Sequence, residues 1–462
     1  MPPDALRKTT RRAGLAPGSS FKPKAGTISD AYPADTTAML VKLQRDYEKT
    51  ESALPVSFRD LVPWVRSGER ATHYLHSYPA KLLPQIAHFF LAARGWLGSN
   101  EVVLDPFAGT GTVALEANLS GRRAFYADVN PLARLITAAK TTRITLLEAA
   151  SILTKIRAKF DLIQEAPVPW IVNLDLWYSP AAKLNLARLR EAISQVETGD
   201  AQDFVWATFS ATARKCSRAS SRFSVPVRVK SQKDSPVRRS VWNVFKRQYE
   251  SNLKRQQDLQ RLSKSRRSSR CVGNDARRLQ RPNSRTRTSR LPLPRNSVGL
   301  VLTSPPYAGA QKYVRASGLS LGWLGMTNSK TLKQLENASI GREHFSMASL
   351  KEIPQTGVDA ADRLIHALTQ INPVRAAICA HYLCEMDQAI EEMVRVLKPG
   401  GKAVVVIGDN TVCGMPFKST DFLTELFHRR AMRAHSDDRD HPFRSIATTY
   451  SDRSRPVWRG CW

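Results

Sequence analysis

One stretch constrains the fold of this chain more than any other: NEVVLDPFAGTGTVALEANLSGRRAFYADVNPLARLITAAK, from Asn100 to Lys140. Its apolar VVL is typical of a short buried strand, AGTG of a tight turn, and TVALEANLS of a helix that ends near Gly121. RAFYADVN predicts a second strand, and a second helix begins at Pro131. Strand, glycine turn, helix and strand in this order predict the start of a parallel α/β sheet.

The same alternation returns later in the chain, in CVGNDARRL, SVGLVLTSPPY and CEMDQAIEEMVRVLKPGGKAVVVIGDN. Residues 145–270, which separate the two parts, follow a different pattern. They contain helical periodicity in LLEAASILTKIRAKF and AAKLNLARLREAISQV and then become strongly basic. We therefore expect a Rossmann-like α/β sheet that carries a basic, mainly helical insertion.

The two ends of the chain lack this alternation. Residues 1–55 are rich in Pro, Ser, Thr and basic residues, and we expect a flexible basic arm with one short helix near TAMLVKLQRDYEKT. The segment 431–462 lacks the alternating apolar pattern of paired strands. A divergent tail or a change of reading frame would each account for it.

Composition excludes several classes of protein. The chain has 462 residues, 42% of them hydrophobic, which is enough for a large core. We find no apolar run of the length that a membrane span needs and no apolar stretch of a secretory signal near the start. The six cysteines form no CxxC pair and no zinc-like spacing, so we predict no metal site and reduced thiols of a cytosolic protein.

The charge points to a polyanionic partner. The formal net charge is +30, and between Arg214 and Arg295 there are 25 Lys or Arg residues against four acids. Nucleic acid is the commonest polyanion that such a surface binds. A basic surface that only keeps the protein in solution is the simpler alternative, but the uneven distribution of the charge favours a contact region.

The glycine turn indicates an adenosyl cofactor. Gly109, Gly111 and Ala114 fit the pattern G-x-G-x-x-A, and Asp128 follows at the end of the next strand, where it can accept bonds from ribose hydroxyls. A NAD site would share these features. However, Asp105 directly precedes the turn, where a carboxylate is badly placed for a pyrophosphate and suits an ammonium and a sulfonium. We therefore predict S-adenosyl-L-methionine.

A second motif, TSPPY, ends the strand GLVLT. Pro305 and Pro306 have no N–H and a fixed φ, so their carbonyls form a rigid set of acceptors at the end of a strand. Ser304 adds a hydroxyl oxygen and Tyr307 an aromatic face. Two acceptors that hold an exocyclic amino group can free its lone pair, and a ring can stack on a base outside the duplex. Prolines that only block an edge strand are the alternative.

Together, DPFAGTGT, ADVNP, GNDAR, TSPPY and VLKPGGKAVVVIGDN resemble the DNA amino-methyltransferases. This family methylates N4 of cytosine or N6 of adenine and often belongs to restriction–modification systems. The resemblance covers roughly residues 70–140, 270–330 and 385–425. It implies a Rossmann-like S-adenosylmethionine-dependent methyltransferase, double-stranded DNA as substrate, a cognate restriction endonuclease as partner, and a place at the nucleoid in a prokaryotic cytoplasm.

The resemblance also implies roles for individual residues. The cofactor would be cradled by Asp105, Phe107, Gly109 and Gly111, with Asp128 on its ribose and Asp275 near its adenine. HSYPAK resembles the segment that closes over the methionine end, so Tyr78 and Lys81 are further candidates, whereas His73 and His76 are interpreted as structural. The target base would be held by Ser304, Pro305, Pro306 and Tyr307.

On this basis the chain divides into five segments. They are an arm (1–55), the cofactor half of the core (56–144), the insertion as a candidate target-recognition region (145–270), the catalytic half (271–430) and the tail (431–462). The sequence departs from the family pattern at Gly299, where an acidic residue is common, as well as in the insertion and the tail.

Three other activities were weighed. RNA guanine amino-methyltransferases share the Asp-Pro-Phe turn, but their second motif usually begins with Asp or Asn. A non-enzymatic nucleic-acid binder would explain the charge but not the acids at the cofactor turn. Methylation of cytosine C5 needs a nucleophilic thiol, and no Pro-Cys pair is present.

Ser before Pro-Pro-Tyr is commoner among the cytosine enzymes of the family, so N4 of cytosine is the first choice and N6 of adenine the second.

Overall fold

The computed structural model describes residues 35–65, 70–79, 81–220, 223, 225–228, 240–263, 269–283, 287–309, 313–434, 444–451 and 454–460. The expected arm at residues 1–34 and several parts of the basic stretch lie outside the described residues.

Helices and strands alternate along most of the described chain. The helices are α1 (Thr37–Thr50), α2 (Phe58–Leu61), α3 (Pro84–Leu91), α4 (Thr112–Leu119), α5 (Pro131–Thr141), α6 (Leu146–Leu162), α7 (Leu174–Trp177), α8 (Pro180–Ser194), α9 (Gln202–Lys215), α10 (Val241–Leu262), α11 (Tyr313–Trp323), α12 (Ser329–Ala338), α13 (Met347–Lys351), α14 (Asp359–Ile371), α15 (Pro373–Val396) and α16 (Ser419–Ala434). The strands are β1 (Leu54–Pro55), β2 (Val102–Asp105), β3 (Arg123–Tyr126), β4 (Ser269–Cys271), β5 (Gln280–Asn283), β6 (Arg287–Pro292), β7 (Val298–Thr303), β8 (Leu397–Ile407), β9 (Asn410–Val412), β10 (Met415–Phe417), β11 (Arg444–Ser451) and β12 (Ser454–Gly460).

The main sheet has the described strand order β1-β12-β11-β8-β7-β2-β3-β4. Strands β4, β3, β2, β7, β8 and β11 pair in parallel, and β12 pairs antiparallel with β11 and β1. The chain moves from β2 to β3 and β4 on one side and later to β7 and β8 on the other, so β2 and β7 flank the switch point. The prediction of a Rossmann-like α/β fold is confirmed, and ligands of such sheets bind at the carboxyl ends of the strands there.

Alternating side chains of the sheet enter two separate apolar cores. Val103, Leu300 and Val404 pack with α3 and α4 on one face. Leu104 and Val301 pack with α14, α15 and α16 on the other face. Because the central strands are covered on both faces, they consist almost entirely of apolar residues, which is the pattern that made them predictable from the sequence.

The insertion forms a helical layer rather than a loose charged segment. Helices α6, α8, α9 and α10 share one apolar core with α5 and α11. Helix α10 is anchored through its polar side chains: Asn252 donates to the Thr208 hydroxyl at 3.0 Å, Gln256 donates to the Ala139 carbonyl at 2.8 Å, and the Tyr249 hydroxyl donates to the Ala149 carbonyl at 2.9 Å. The cations of this helix therefore lie on the outer face of a packed element.

The flexible arm expected for residues 1–55 does not extend that far. Helix α1 buries Leu40 completely, and the Thr36 hydroxyl donates to the Phe89 carbonyl at 2.6 Å. Polar and basic residues dominate this segment, but one apolar side of α1 is sufficient to pack it on the core beside α3.

The tail lacks the alternating apolar pattern of paired strands, but it nevertheless contains two of them. Strand β11 pairs in parallel with β8, with Arg444 opposite Lys402 and Thr449 opposite Ile407, and β12 returns antiparallel to it. The backbone groups along the outer side of β8 are paired in this way. These strands are not visible in the local sequence pattern, because their pairing with β8 runs through backbone groups.

No helix in the described parts of the chain is long and apolar enough to cross a membrane.

Candidate active site

Four of the predicted site residues lie at the carboxyl ends of neighbouring strands. Asp105 is the last residue of β2, and Asp128, Asp275 and Ser304 follow β3, β4 and β7. These four strands are adjacent in the sheet, so residues that are far apart in the sequence meet along one edge. The structure thus brings both predicted motifs, the glycine turn and the Ser-Pro-Pro-Tyr segment, to the switch point.

Asp105 is buried and held from two sides. One carboxylate oxygen accepts hydrogen bonds from the Thr303 hydroxyl at 2.6 Å and from the Phe107 amide at 3.2 Å. Burial raises the pKa of this carboxyl to about 7, although both hydrogen bonds act in the opposite direction. A bound cation would favour the ionised form of Asp105.

Asp128 is integrated into the glycine turn. Its carboxylate accepts the Gly109 amide at 2.8 Å and the Asn130 amide at 2.8 Å, and burial raises its pKa. The turn needs glycine at two positions, since Gly109 and Gly111 have φ values of +50° and +71°. At Gly111 a Cβ atom would also lie 2.7 Å from the Thr137 side chain, so any larger residue would push α4 away from α5.

Asp275 lies at the same edge of the sheet and forms an ion pair with Arg277. Arg277 binds both of its carboxylate oxygens, at 2.8 and 3.0 Å, and also donates to the Ala338 carbonyl at 3.1 Å. Arg277 thereby connects the end of β4 to the last residue of α12. A carboxylate oxygen can accept more than one bond, so Asp275 remains able to accept a hydrogen bond from a ligand in the neighbouring cavity.

Tyr78 is positioned by a residue that our sequence interpretation did not assign to the site. Asn130 donates to the Tyr78 hydroxyl at 3.1 Å and to the Ser317 hydroxyl at 2.9 Å, while its own oxygen caps α5 by accepting the Leu132 amide. Burial, together with the nearby Asp128 carboxylate, raises the pKa of Tyr78, so its hydroxyl stays neutral. The Asn-Pro pair of ADVNP, a typical helix start, was the available signal.

Other residues in and directly before HSYPAK have different roles. Lys81 lies at the cavity that also contains Asp105, and its ammonium approaches the His76 carbonyl at 3.3 Å. His73 contacts the buried Glu116 carboxylate at 2.8 Å, and His76 contacts the Ser210 hydroxyl at 2.9 Å. Burial lowers the pKa of His76 to about 4, so a neutral structural histidine fits the interpretation from the sequence.

The hydrogen-bond acceptors of the Ser-Pro-Pro-Tyr segment differ in whether another group of the protein already bonds to them. The Ser304 hydroxyl donates to the Val406 carbonyl at 2.8 Å, and the Pro306 carbonyl accepts the Tyr382 hydroxyl at 2.9 Å. The Pro306 carbonyl therefore has a competing donor, so the rigid set of acceptors predicted from the sequence is not equally open at the two prolines. Among the described residues, no group donates to the Pro305 carbonyl. Tyr307 is half-buried and packs beside the core that contains Tyr382.

Two cavities meet at this edge. The first, of about 560 Å³, is lined by Tyr78, Phe107, Asp128 and Asp275 among other residues. The second, of about 570 Å³, is lined on one side by Asp105 and the glycine turn and on the other by Ser304, Pro305 and Tyr307. Phe107, Gly109, Ser304 and Tyr313 contribute to both. Tyr313 and Asp409, which lines the second cavity, were missed by the sequence interpretation.

The departure at Gly299 has a structural explanation. A Cβ atom on Gly299 would lie 2.3 Å from a carboxylate oxygen of Glu101, which pairs with Lys398 at 2.8 Å. Glu101 therefore occupies the space beside β7 that a side chain at position 299 would need.

Comparison with known proteins identifies the first half of this site. Residues 72–204 match the UPF0020 family, described as RMKL-like methyltransferase domain. This part of the chain is a methyltransferase domain. The match contains the glycine turn, Asp105, Asp128 and the HSYPAK segment, and a methyltransferase domain of this kind uses S-adenosyl-L-methionine.

The methyltransferase also has a distant homologue of similar length. This homologue is a protein from Kocuria varians named type II methyltransferase M.MvaI. The two sequences are 24% identical over 384 residues, and the alignment covers 78% of this chain and 81% of the homologue. No solved structure matches the chain significantly.

The residues of the methyltransferase site fit the cofactor chemically. S-adenosyl-L-methionine carries two ribose hydroxyls and an ammonium and a sulfonium cation. Asp128, which accepts the Gly109 amide, offers carboxylate oxygens for the ribose hydroxyls. The buried Asp105, which accepts the Phe107 amide, offers a carboxylate for one of the cations. When bound, the cofactor supplies an activated methyl group.

Proposed function

We propose that this chain is a DNA amino-methyltransferase of a restriction–modification system and that it methylates N4 of cytosine. Methylation of N6 of adenine by the same site is the second candidate. The family match ends at residue 204, well before β7 and Ser304, so the methyl acceptor is inferred from the second cavity.

The observation that carries the proposal is the hydrogen bond from Ser304 to Val406. Because the serine proton is donated to a backbone carbonyl of β8, the hydroxyl oxygen presents lone pairs rather than a proton to the cavity. Lone pairs are what an exocyclic amino group, a donor with two N–H bonds, requires. Since that proton is bonded to Val406, the preference for cytosine depends on the resemblance of the Ser-Pro-Pro-Tyr motif to the cytosine enzymes and not on a bond from Ser304 to a ring nitrogen.

A second acceptor is available beside Ser304. Pro305 lines the same cavity, no described residue donates to its carbonyl, and its φ is fixed by the ring. Two acceptors that hold the two N–H bonds of an amino group favour a tetrahedral nitrogen with a free lone pair. Ser304 and Pro305 would therefore orient and activate the amino group, while Tyr307 would stack on the base that carries it.

Tyr382 holds the Ser-Pro-Pro-Tyr segment in place. Its hydroxyl donates to the Pro306 carbonyl, and burial raises its pKa, so it remains a donor at all ordinary pH values. The bond fixes the second proline and with it the position of Tyr307. We assign Tyr382 a positioning role, because it does not line the second cavity.

The polyanionic substrate is supported by charge and by homology. A net charge of +30 favours nucleic acid, and the homologue from Kocuria varians carries the name of a type II methyltransferase. From the same name we infer a restriction endonuclease as the genetic partner. The helical insertion, whose outer face carries many of the cations, is the proposed target-recognition region.

Mass spectrometry of nucleosides tests this proposal. Duplex DNA and tRNA are incubated with the protein and labelled S-adenosyl-L-methionine and then digested to nucleosides. We expect N4-methylcytosine from DNA. N6-methyladenine as the sole product would replace the base assignment, and label found only in a methylated guanine of RNA would overturn the DNA substrate. Sequencing of modified bases in a host that expresses the protein would then give the recognition sequence.

A further inference from the structure

The segment between α6 and α7 forms one wall of the first cavity. Its sequence, IQEAPVPWIVN, covers residues 163–173 and belongs to the helical insertion. Trp170 and Val172 line the cavity together with Asp128 and Asp275, the two acids that we assign to the adenosyl group. The insertion therefore reaches the cofactor side of the active site, although in sequence it lies outside all the cofactor motifs.

The position of this segment is fixed by a close contact with α11. Ile171 is only 8% exposed and packs in the core of the insertion. A Cβ atom on Gly322 would lie 2.6 Å from the Cγ1 atom of Ile171 and 3.0 Å from the Trp170 carbonyl oxygen, so only glycine leaves room for the segment at this point of α11. The backbone at Trp170 is thus seated on the helix that begins with Tyr313.

The residues on either side of Ile171 point the other way. Trp170 is 42% exposed and Val172 is 47% exposed, and both line the cavity. The indole of Trp170 exposes apolar surface to water, although its backbone is held in place by the contact with α11. Stacking on a planar ligand would bury that surface, which is energetically favourable. The opposite side of the same cavity is apolar as well, with Leu332 of α12 and the buried Ile340.

We propose that Trp170 is a cofactor-binding residue whose indole covers the adenine ring of S-adenosyl-L-methionine. The inference rests on the proposed placement of the adenosyl group between Asp128 and Asp275, but not on which acceptor is methylated. The alternative is that the indole stacks on a nucleotide of the substrate. The cavity favours the cofactor, because Trp170 lines it together with Asp128 and Asp275, the two acids proposed to bind the adenosyl group.

Cofactor binding in the absence of nucleic acid tests the inference. Titration calorimetry with S-adenosylhomocysteine, which shares the adenosyl group, is carried out on the full chain and on Trp170→Ala, Trp170→Phe and Val168→Ala. Loss of base stacking on an aromatic ring should raise the Kd of Trp170→Ala about tenfold. Trp170→Phe, which keeps a ring, should stay within about threefold of the wild type. Val168 is similarly exposed on the same segment but does not line the cavity, so Val168→Ala should bind normally.

Two outcomes would overturn the inference. The first is a wild-type Kd for S-adenosylhomocysteine in Trp170→Ala. The second is an equal loss of affinity in Val168→Ala, which would mean that the segment matters only for folding. If Trp170→Ala keeps cofactor affinity and loses affinity for duplex DNA, the indole belongs to the nucleic-acid surface. Because no nucleic acid is present in the first titration, failure here leaves the proposed DNA substrate untouched.

Discussion

The hydroxyl of Thr303 donates a 2.6 Å hydrogen bond to the carboxylate of Asp105, across 198 positions of the sequence. Thr303 is the last residue of β7, directly before Ser304, and Asp105 is the last residue of β2. The two strands flank the switch point of the sheet. One hydrogen bond therefore links the proposed cofactor site to the proposed base site.

Thr303→Val should weaken cofactor binding near neutral pH. The bond stabilises the charged form of Asp105, so its removal should raise the carboxyl pKa beyond its present value of about 7. A hydrogen bond to a charged group contributes about 1.5 kcal/mol or more, so the Kd for S-adenosyl-L-methionine at pH 7 should rise about tenfold. Calorimetry measures this. Thr303→Ser, which keeps the hydroxyl, is the control, and an equal loss in both variants would contradict the prediction.

Cofactor affinity should depend on pH through Asp105. Burial raises its pKa to about 7 in the free protein, and a bound cation requires the ionised form. Affinity for S-adenosyl-L-methionine should therefore increase between about pH 5.5 and about pH 8, where Asp105 is almost fully ionised, and level off above that range. Asp105→Asn should bind weakly and should lack the contribution of Asp105 to the pH dependence.

The same group should affect stability with the opposite sign. The carboxyl pKa in the folded protein lies above its ordinary value of 3.8, so between pH 4 and 7 the folded state retains a proton that the unfolded chain has lost. The contribution of Asp105 to the free energy of unfolding should be full below pH 4 and decline as the pH approaches 7. In Asp105→Asn, denaturant titrations should show a smaller decline over this range, and an identical profile would refute the assigned pKa.

Ser304→Ala should reduce turnover much more than cofactor affinity. The hydroxyl oxygen is proposed to hold the amino group of the base, and loss of an interaction made in the transition state costs about 2–3 kcal/mol, or roughly 30–150-fold in rate. The Kd for S-adenosylhomocysteine should change less than about twofold. Ser304→Thr retains a hydroxyl and should retain more activity than the alanine variant. Equal losses of turnover and cofactor affinity in Ser304→Ala would place the hydroxyl on the cofactor instead.

The outer face of α10 should contribute to the salt dependence of DNA binding. Lys246, Arg247 and Lys254 are exposed there, whereas Gln256 and Leu259 of the same helix are buried, so substitution tests the charges without removing the helix. If all three contact phosphates, the triple alanine variant should flatten the log–log salt slope by about 2.7. A charge-matched triple variant on α1, at Lys42, Arg45 and Lys49, is the control. The same slope change in both variants would show a general charge effect.

Gly299→Ala should destabilise the protein, and Glu101→Ala should relieve the effect. The added Cβ would collide with the Glu101 carboxylate and force it away from Lys398, at a cost of about 1–3 kcal/mol for overpacking. Glu101→Ala alone removes only a partly exposed ion pair, which is worth less than about 1 kcal/mol. The free energies of unfolding of the two single variants and the double variant form a cycle. Strictly additive effects would contradict the proposed collision.

The sequence by itself determined the sheet and the class of chemistry. Central strands such as β2 and β7 are buried on both faces, so they appear as continuous apolar runs, and the glycine turn is visible because Gly109 and Gly111 need positive φ. The Rossmann-like fold and the use of S-adenosyl-L-methionine were predictable for this reason. The individual roles of Ser304 and the proposed cofactor residues stay predictions.

The tertiary structure decided what depends on contacts between distant residues. The pKa of Asp105, the direction of the Ser304 proton and the bond from Tyr382 to Pro306 all depend on partners that local sequence does not identify. The tail pairs because β8 has backbone groups to satisfy, and α10 is held by buried amides within a sequence that is otherwise basic. Trp170 lines the first cavity because Gly322 leaves room for its segment to pack on α11. The local sequence pattern reflects backbone conformation, the period of the apolar residues and their burial. Contacts between residues that are distant in the sequence depend on many residues together, and no single one of them predicts the contact.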